Sequence, residues 1–296
     1  MEQLRSPYTF TTASPKVVGS GTDTAVFVTL GLTLYTFNDR CQRIALEPLL
    51  CSGDIKVDAI GSFDFEALSR YVPKPGDPGP GNFGTWYEPA DARTWITPTV
   101  AVTDRIDGKA LDHPIVVVAQ HGCGVHGYEW TPPPNQQLTH LWYNAALSDT
   151  LLSSPAVSTA GQVAIGSSQG LIWSYDVVSG KQQWFFRTGE PVLATPAFYA
   201  GSLHVYAVGL HNLWMLDNAG VLLSKVPLAG PSVSSPSLSW DGVFFSTRAS
   251  MHSFTPNLAT LTSDSTASGG MSSPAIGADG TIYEAAPHSV VAYRGR

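Results

Sequence analysis

The sequence predicts an all-β fold assembled from repeated units of four short antiparallel strands. Three observations support this prediction: few charged residues, many turn-forming residues, and a marker that recurs about every 40 residues. Of the 296 residues, 43% are hydrophobic and 13% are charged, while 28 glycines and 22 prolines supply turns along the chain. This composition favours short, mostly buried strands over long amphipathic helices, which need a charged face.

The recurring marker is a serine or threonine followed by proline, which leads into small and apolar residues. It occurs at Ser14-Pro15, Thr97-Pro98, Ser154-Pro155, Thr195-Pro196, Ser235-Pro236 and Ser273-Pro274. From Pro155 onward, successive marker prolines are 41, 40 and 38 residues apart. The interval of 83 residues between Pro15 and Pro98 corresponds to two periods with one marker missing.

The unit that begins at Ser154 shows the order of elements within one period. Apolar segments at 154–157, 162–166 and 171–176 are separated by glycine-bearing turns, and a fourth segment at 181–186 ends the unit. Glycine turns between short apolar segments are typical of antiparallel hairpins. Each unit is therefore expected to be a meander of four strands.

Two further columns of residues repeat with the same period. The third strand of each unit is predicted to end at Asn38, Glu129, Asp176, Asp217, Thr255 and Arg294. Three residues before these ends lie Tyr35, His126, Trp173, Trp214, His252 and Val291. The second column, mostly aromatic, predicts core positions, and Trp142 and Trp184 on the outer strands are expected to pack one unit against the next.

Units of about 40 residues with four strands each are typical of the blades of a β-propeller. The sequence predicts one domain over 1–296: a seven-bladed β-propeller of four-stranded antiparallel blades, in which the second blade, 51–96, is degenerate. The Pro- and Gly-rich segment 72–90 is expected to be a loop, because proline cannot donate to a strand ladder. The alternative is six blades with a long insertion.

The last marker is followed by 22 residues, enough for only three strands. Residues 3–10 precede the first marker, where every other unit has its outer strand. We therefore expect residues 3–10 to form the fourth strand of the last blade. Such an arrangement would close the ring and remove an unpaired sheet edge.

A resemblance to a known repeat family rests on one motif. Its residues are Ser154-Pro155-Ala156-Val157, 166–170, Tyr175-Asp176, Ser179-Gly180 and Trp184. This motif resembles the pyrroloquinoline-quinone-type (quinoprotein-like) repeat, which also builds the BamB-like propellers of outer-membrane assembly. The resemblance is strong over 154–296, fair at 14–38 and 97–142, and nearly absent at 51–90. It implies a fold and not an activity.

In the family that this chain resembles, the catalytic members have an adjacent Cys-Cys pair, a calcium ion and a longer ring. Here Cys41, Cys51 and Cys123 are isolated from one another. We therefore expect no quinone cofactor and no quinone-dependent dehydrogenation. The sequence also contains no Gly-x-Ser-x-Gly elbow, P-loop, His-Glu-x-x-His or haem-attachment motif.

Two short segments carry side chains of the metal-ligand type, and a structural interpretation is favoured for both. His121 and Cys123 are close enough in sequence for zinc, yet zinc needs a third and usually a fourth ligand, and the flanking glycines fit a turn. Asp104, Asp107 and Asp112 could hold calcium, but Asp-Gly is a common turn pair. We expect no cofactor, with calcium and zinc as the alternatives.

The turns that join second to third strands all emerge on one face of a propeller, and in this chain they are rich in polar residues. The candidate ligand or partner site consists of His121, Cys123, Gln169, His211, Asn212, Arg248, Ser250 and His288. Polar groups around a central opening are typical of such a site. Exposed turns are polar in most proteins, however, so the pattern does not name a ligand. The opposite face is expected to carry simple turns such as Asp241-Gly242.

Charge and targeting signals restrict the partner class. Sixteen Lys and Arg against 23 Asp and Glu leave a net charge of −7 with no basic run, which argues against nucleic acid. No apolar stretch reaches the roughly 18 residues of a membrane-spanning helix. No signal-peptide core follows Met1, so the protein is expected to be cytoplasmic if Met1 is the natural start and extracytoplasmic if a signal peptide was removed.

The leading interpretation of function is a non-catalytic, monomeric propeller that presents one ring face to a protein, a peptide or a glycan. It follows from an intact repeat that lacks the catalytic residues of the family it resembles. The alternative is an enzyme of the hydrolase or lyase type, with a shallow central site built from the His-bearing turns.

Overall fold

The computed structural model describes most of the chain from residue 100 onward and four strands before it. The described residues are 16–18, 25–30, 33–38, 43–48, 100–120, 124–132, 134–135, 137–144, 152–247, 250–259, 261–264, 273–286 and 289–293. Every regular element within them is a β-strand, and all strand pairs are antiparallel. In this part of the chain we find no helix with the length and apolar character needed to cross a membrane.

Twelve strands form the first three sheets, each with its four strands in sequence order. Sheet I contains β1 (Lys16–Val18), β2 (Ala25–Leu30), β3 (Thr33–Asn38) and β4 (Arg43–Pro48). Sheet II contains β5 (Ala101–Ile106), β6 (Lys109–Gln120), β7 (Gly124–Thr131) and β8 (Gln137–Asn144). Sheet III contains β9 (Ala156–Val157), β10 (Gln162–Gly166), β11 (Leu171–Asp176) and β12 (Gln182–Arg187).

Eleven strands form the remaining sheets. Sheet IV contains β13 (Ala197–Phe198), β14 (Val205–Val208), β15 (Asn212–Leu216) and β16 (Leu222–Pro227). Sheet V contains β17 (Ser237–Leu238), β18 (Val243–Ser246), β19 (Met251–Phe254) and β20 (Leu261–Asp264). The described part of sheet VI contains β21 (Ala275–Ile276), β22 (Ile282–Ala286) and β23 (Ser289–Tyr293). The predicted meander of short strands is confirmed.

The sheets pack face to face in chain order, with an apolar cluster between each described pair. Between sheets II and III, for example, Val117 and Trp142 pack with Val163 and Tyr175. Because a sheet in the middle of the stack is covered on both faces, its second strand is a continuous buried run, as in β10, β14 and β18. The fourth strands β12 and β16 instead alternate between exposed and half-buried residues.

The serine or threonine of the repeat marker links neighbouring sheets along their innermost strands. The Thr195 N–H donates to Ser235 Oγ at 2.9 Å, and the Ser235 N–H donates to Ser273 Oγ at 2.9 Å. The prolines that follow these markers are buried. A proline fits here because the first strand of each sheet is an edge strand, with one side that makes no ladder hydrogen bonds.

Tryptophans on the outer strands link neighbouring sheets at the rim. Trp142 Nε1 donates to the carbonyl of Val177 at 2.9 Å, and Trp184 Nε1 donates to the carbonyl of Asn218 at 2.8 Å. In both cases the indole lies over a glycine with positive φ in the next sheet, Gly180 or Gly220. The predicted packing role of Trp142 and Trp184 is confirmed.

In sheet IV the position that corresponds to Trp142 and Trp184 is occupied by Ser224. All three residues follow a β-bulge in the fourth strand, but a serine is too small to reach a glycine of the next sheet. Here the Tyr206 hydroxyl donates to the carbonyl of Pro256 in sheet V, and Leu258 is buried in the cluster between the two sheets. Burial, together with the nearby Tyr199, raises the pKa of the Tyr206 hydroxyl to about 12.

Sheets I and II pack directly on each other. Ala25 and Phe27 of sheet I lie in one cluster with Val116, Val118 and Trp130 of sheet II, and the ring centroids of Phe27 and Trp130 are 5.5 Å apart. Residues 51–96, predicted as a blade between them, lie outside the described residues, as do residues 3–10. The count of seven blades, the six-blade alternative, the closing strand and the single domain therefore stay predictions.

The contact between Trp142 and Gly180 gives the first test. A Cβ at Gly180 would overlap the Trp142 indole, and its φ of 66° is unfavourable for alanine. Gly189 has a φ of 78° but open space around it, so Gly189→Ala carries only the backbone cost of about 1–2 kcal/mol. We expect Gly180→Ala to lower the free energy of unfolding by about 1–3 kcal/mol more than Gly189→Ala, as measured by urea denaturation. Equal losses would contradict the packing role of Trp142.

Candidate functional site

The candidate site lies at the end of the sheets where second strands turn into third strands, which we call the polar face. Of the predicted site residues, Gln169, His211, Asn212 and Ser250 are described. His121, Cys123, Arg248 and His288 lie outside the described residues. Gln169 and His211 are exposed, Asn212 is half-buried and Ser250 is buried. The described site residues come from three successive sheets.

His211 and Asn212 are held by a carboxylate from the preceding sheet. Glu190 follows the last strand of sheet III, and its Oε1 accepts the His211 backbone N–H and Asn212 Nδ2, each at 3.0 Å. The approach is close because Gly209, in the same turn, has no side chain: a Cβ there would lie 2.9 Å from Glu190 Oε1. The amide of Asn212 is thus used within the fold, while the His211 side chain remains exposed.

Ser250 belongs to a buried group of hydroxyls around a histidine. The Nε2 atom of His252 lies 3.0 Å from both Ser250 Oγ and Thr247 Oγ1, while its Nδ1 has no hydrogen-bond partner among the described residues. The imidazole stacks on Phe245 with ring centroids 5.3 Å apart. Burial lowers the pKa of His252 below its ordinary value, which favours the neutral ring. His252, predicted as a core position, is only 4% exposed.

A second polar group is buried between sheets V and VI. Glu284 is fully buried, and its carboxylate accepts hydrogen bonds from the hydroxyls of Ser246 and Tyr293. The backbone of Ser246 is in turn bonded by Ser232 and Ser234, in the segment that leads into sheet V. The Glu284 carboxylate and Ser246 therefore both have hydrogen-bond partners within the fold. Their hydrogen bond joins sheets V and VI, as does the apolar cluster between these sheets.

His126, the core-column residue of sheet II, is fully buried. Its ring stacks on Tyr143 at 4.6 Å between centroids, and its Nδ1 lies 3.4 Å from Nε2 of the exposed His140. On the two central strands of the same sheet, His113 Nδ1 lies 3.1 Å from Glu129 Oε1. The predicted core role of His126 is confirmed.

The acidic segment of sheet II forms a tight hairpin. Asp107 and Gly108 both have positive φ, 51° and 75°, which suits a two-residue turn of type I′ between β5 and β6. Asp104 and Asp112 lie exposed on these two strands. Within the described residues there is no group of three or more His, Cys, Asp or Glu side chains placed to hold a metal ion. This observation does not test the predicted alternatives, a calcium site or a zinc site.

The described polar side chains of this face mostly bind one another. Glu190 and Thr247, which hold His211, Asn212 and His252, were not among the predicted site residues. Glu190 could not be identified because its partners lie 21 and 22 residues further along the chain. The arrangement fixes the backbone of the turns and leaves the side chains of Gln169 and His211 exposed.

The opposite end of the sheets, which we call the hairpin face, carries the turns between first and second strands and between third and fourth strands. Trp240, at the tip of the β17–β18 hairpin, is 84% exposed. Its backbone is held in place, since the Tyr199 hydroxyl donates to the Trp240 carbonyl at 2.8 Å and Ser239 Oγ donates to Asp241 Oδ1. Sequence reasoning missed this residue, because a tryptophan beside apolar strands is typical of a core.

Comparison with known proteins identifies the fold. No family model and no curated protein sequence matches the chain. Among solved structures, the chain is similar to BamB from Moraxella catarrhalis, with a TM-score of 0.55 and 14% identity over 95% of this chain and 72% of BamB. It is also similar to the computationally designed Ika8 protein, with a TM-score of 0.60 and 11% identity over 95% of this chain and 70% of Ika8. At these identities the likeness shows a BamB-like β-propeller fold and no more.

The buried imidazole of His252 predicts a specific pH dependence. Because the pKa of His252 is lowered on folding, this imidazole takes up its proton at a higher pH in the unfolded chain than in the folded protein. Glutamine keeps hydrogen-bonding groups but does not titrate. We expect the free energy of unfolding of the wild type to fall relative to that of His252→Gln as the pH decreases from about 7 to about 5.

Urea denaturation at each pH measures this difference. The exposed His211, changed to glutamine, is the matched control, and its difference from the wild type should change less with pH. If the two variants differ from the wild type by the same pH-dependent amount, burial of His252 does not cause the pH dependence of the free energy of unfolding.

Proposed function

We propose that the protein is a non-catalytic β-propeller that presents its polar face to a protein partner. The observation that carries this proposal is the use of the polar turn side chains within the fold: Glu190, Asn212, Thr247 and Ser250 are hydrogen-bonded to neighbours that fix the turns. A rigid surface with a few exposed polar side chains suits recognition, since little conformational entropy is lost on binding. The BamB-like fold and the resemblance of the repeat to the outer-membrane assembly propellers support the same proposal.

We further propose that the ring has six blades, and that residues 51–96 form an insertion rather than a blade between sheets I and II. The direct packing of Phe27 against Trp130 supports this count over seven. Within the described residues sheet VI has three strands where sheets I to V have four, and residues 3–10 would add a fourth strand beside β23. Strand pairing there would complete the blade and close the ring.

Deletion of residues 1–10 tests the closing strand. Without it, β23 becomes an unpaired edge, and we expect a fall in melting temperature of more than about 5 °C in one cooperative transition. A synthetic peptide with the sequence of residues 1–12, added in excess, should restore part of this loss by pairing with β23. A truncated protein that melts within about two degrees of the full chain would contradict the proposal.

Site-specific cross-linking tests the binding face. A photo-reactive amino acid is placed at Gln169 or at His211 on the polar face, and at Leu223 on the exposed part of β16 as the control. We expect the first two positions to form a covalent adduct with one protein of the native host and the control to form none. The adduct is identified by mass spectrometry, and the complex is then reconstituted from purified components.

Affinity measurements with the reconstituted partner complete this test. His211→Ala should weaken binding by about three- to tenfold without a change in melting temperature, because its side chain is exposed and only its backbone is bonded to Glu190. Equal cross-linking from Leu223, or no adduct at all, would count against a polar-face partner. An enzyme of the alternative class would instead show turnover that the double variant His211→Ala, His288→Ala abolishes.

A further inference from the structure

Trp240 has no structural role that its position can explain. With 84% of its surface exposed, the side chain contributes almost nothing to the core. The corresponding hairpin tips of sheets III, IV and VI carry the smaller residues Thr159, Ala200 and Ala278. A small residue is therefore sufficient for this hairpin, and the large aromatic side chain needs another reason.

The fold supports Trp240 as a fixed contact point. The Tyr199 hydroxyl, from the first hairpin of sheet IV, holds the Trp240 carbonyl at 2.8 Å, and the Tyr199 ring itself is half-buried against the cluster between sheets IV and V. Asp241, the next residue of the tip, accepts a hydrogen bond from Ser239. The backbone that carries the indole is thus held by the neighbouring sheet IV and within its own hairpin, and little order has to be gained on binding.

The hairpin face around Trp240 is negatively charged. Within one residue of the described hairpin turns of sheets II to VI lie Asp107, Asp176, Asp217, Asp241 and Asp279, against Lys109 and Lys181. Five carboxylates and two ammonium groups leave a surplus of three negative charges on this face. Four of the aspartates also accept hydrogen bonds within their own turns, which keeps the carboxylates in place.

An aromatic face beside carboxylates attracts cations, because the ring quadrupole and the negative charges act in the same direction. The protein contains this contact internally: Lys225 Nζ lies 5.9 Å from the Trp214 ring centroid, and Arg187 Cζ lies 5.6 Å from that of Phe185. A neutral glycan could also stack on an exposed indole, but it would gain nothing from the surplus of negative charge. Charge complementarity therefore favours a basic partner.

We propose that the hairpin face binds a basic protein segment, with an arginine or lysine side chain of the partner stacked on Trp240 beside Asp241. This inference deepens the proposed function, since it rests on a binding role for the propeller, and it assigns a second interaction surface and its partner chemistry. The polar face and the hairpin face lie at opposite ends of the sheets, so the two surfaces can be occupied separately.

Two short synthetic peptides serve as probes, identical except that the arginines of one are glutamines in the other. We expect the arginine peptide to bind the full chain, to bind more weakly in about 300 mM than in about 50 mM NaCl, and to bind at least about tenfold more tightly than the glutamine peptide. Trp240→Ala should weaken binding about fivefold, and Asp241→Asn should weaken it about twofold and reduce its salt dependence. Fluorescence anisotropy of labelled peptides measures each affinity.

Val290→Ala is the matched control, since it removes an exposed apolar side chain from the start of β23, beside the polar face and at the opposite end of the sheets from the hairpin tips, and it should leave the affinity unchanged. Three results would overturn the inference: no binding of the arginine peptide, equal binding of the glutamine peptide, or unchanged binding by Trp240→Ala. These peptide results concern the hairpin face alone, whereas cross-linking from Gln169 and His211 tests the polar face. Failure of this inference and failure of the proposed function are therefore distinguishable. Asp241→Asn provides a separate readout that does not depend on removal of a large side chain.

Discussion

Mutual burial of neighbouring sheets is the constraint on which the rest of this structure depends. Both faces of a sheet such as sheet III are apolar, with Val163 and Ile165 directed to one neighbour and Ala164 and Ile172 to the other. A single sheet of this kind would expose two apolar faces to water, so it has no stable existence alone. Stability therefore comes from stacking, and the short strands and frequent glycines are what allow the chain to turn within each thin sheet.

Hydrogen bonds at the inner and outer ends of the sheets determine how they are aligned. On the inside, the marker hydroxyls of Ser235 and Ser273 accept backbone N–H groups from the preceding sheet. At the rim, Trp142 and Trp184 combine a hydrogen bond with packing on a glycine of the next sheet. Where the tryptophan is absent, between sheets IV and V, Tyr206 makes a bond to the neighbouring sheet instead. Different residues thus meet the same geometric requirement.

Several described polar residues of the turns and strands are used to join neighbouring sheets. Glu190 is bonded to two groups of the next sheet, and Glu284 lies between two hydroxyls. These polar groups serve the junctions between sheets, where an unpaired buried carboxylate would be costly. The side chains of His211 on the polar face and Trp240 on the hairpin face instead lie exposed, away from these junctions.

The amino-acid sequence by itself determined the repeat, the strand order within each unit, the marker positions and the packing role of Trp142 and Trp184, because hydrophobic period and turn residues are local properties. It also placed His126 and His252 in the core. Only the tertiary structure decided that Glu190 meets Asn212, that sheets I and II are in direct contact, and that Trp240 lies in solvent. These facts depend on which sheets become neighbours in space. A tryptophan next to apolar residues has the same local pattern whether its hairpin tip ends in a core or in water.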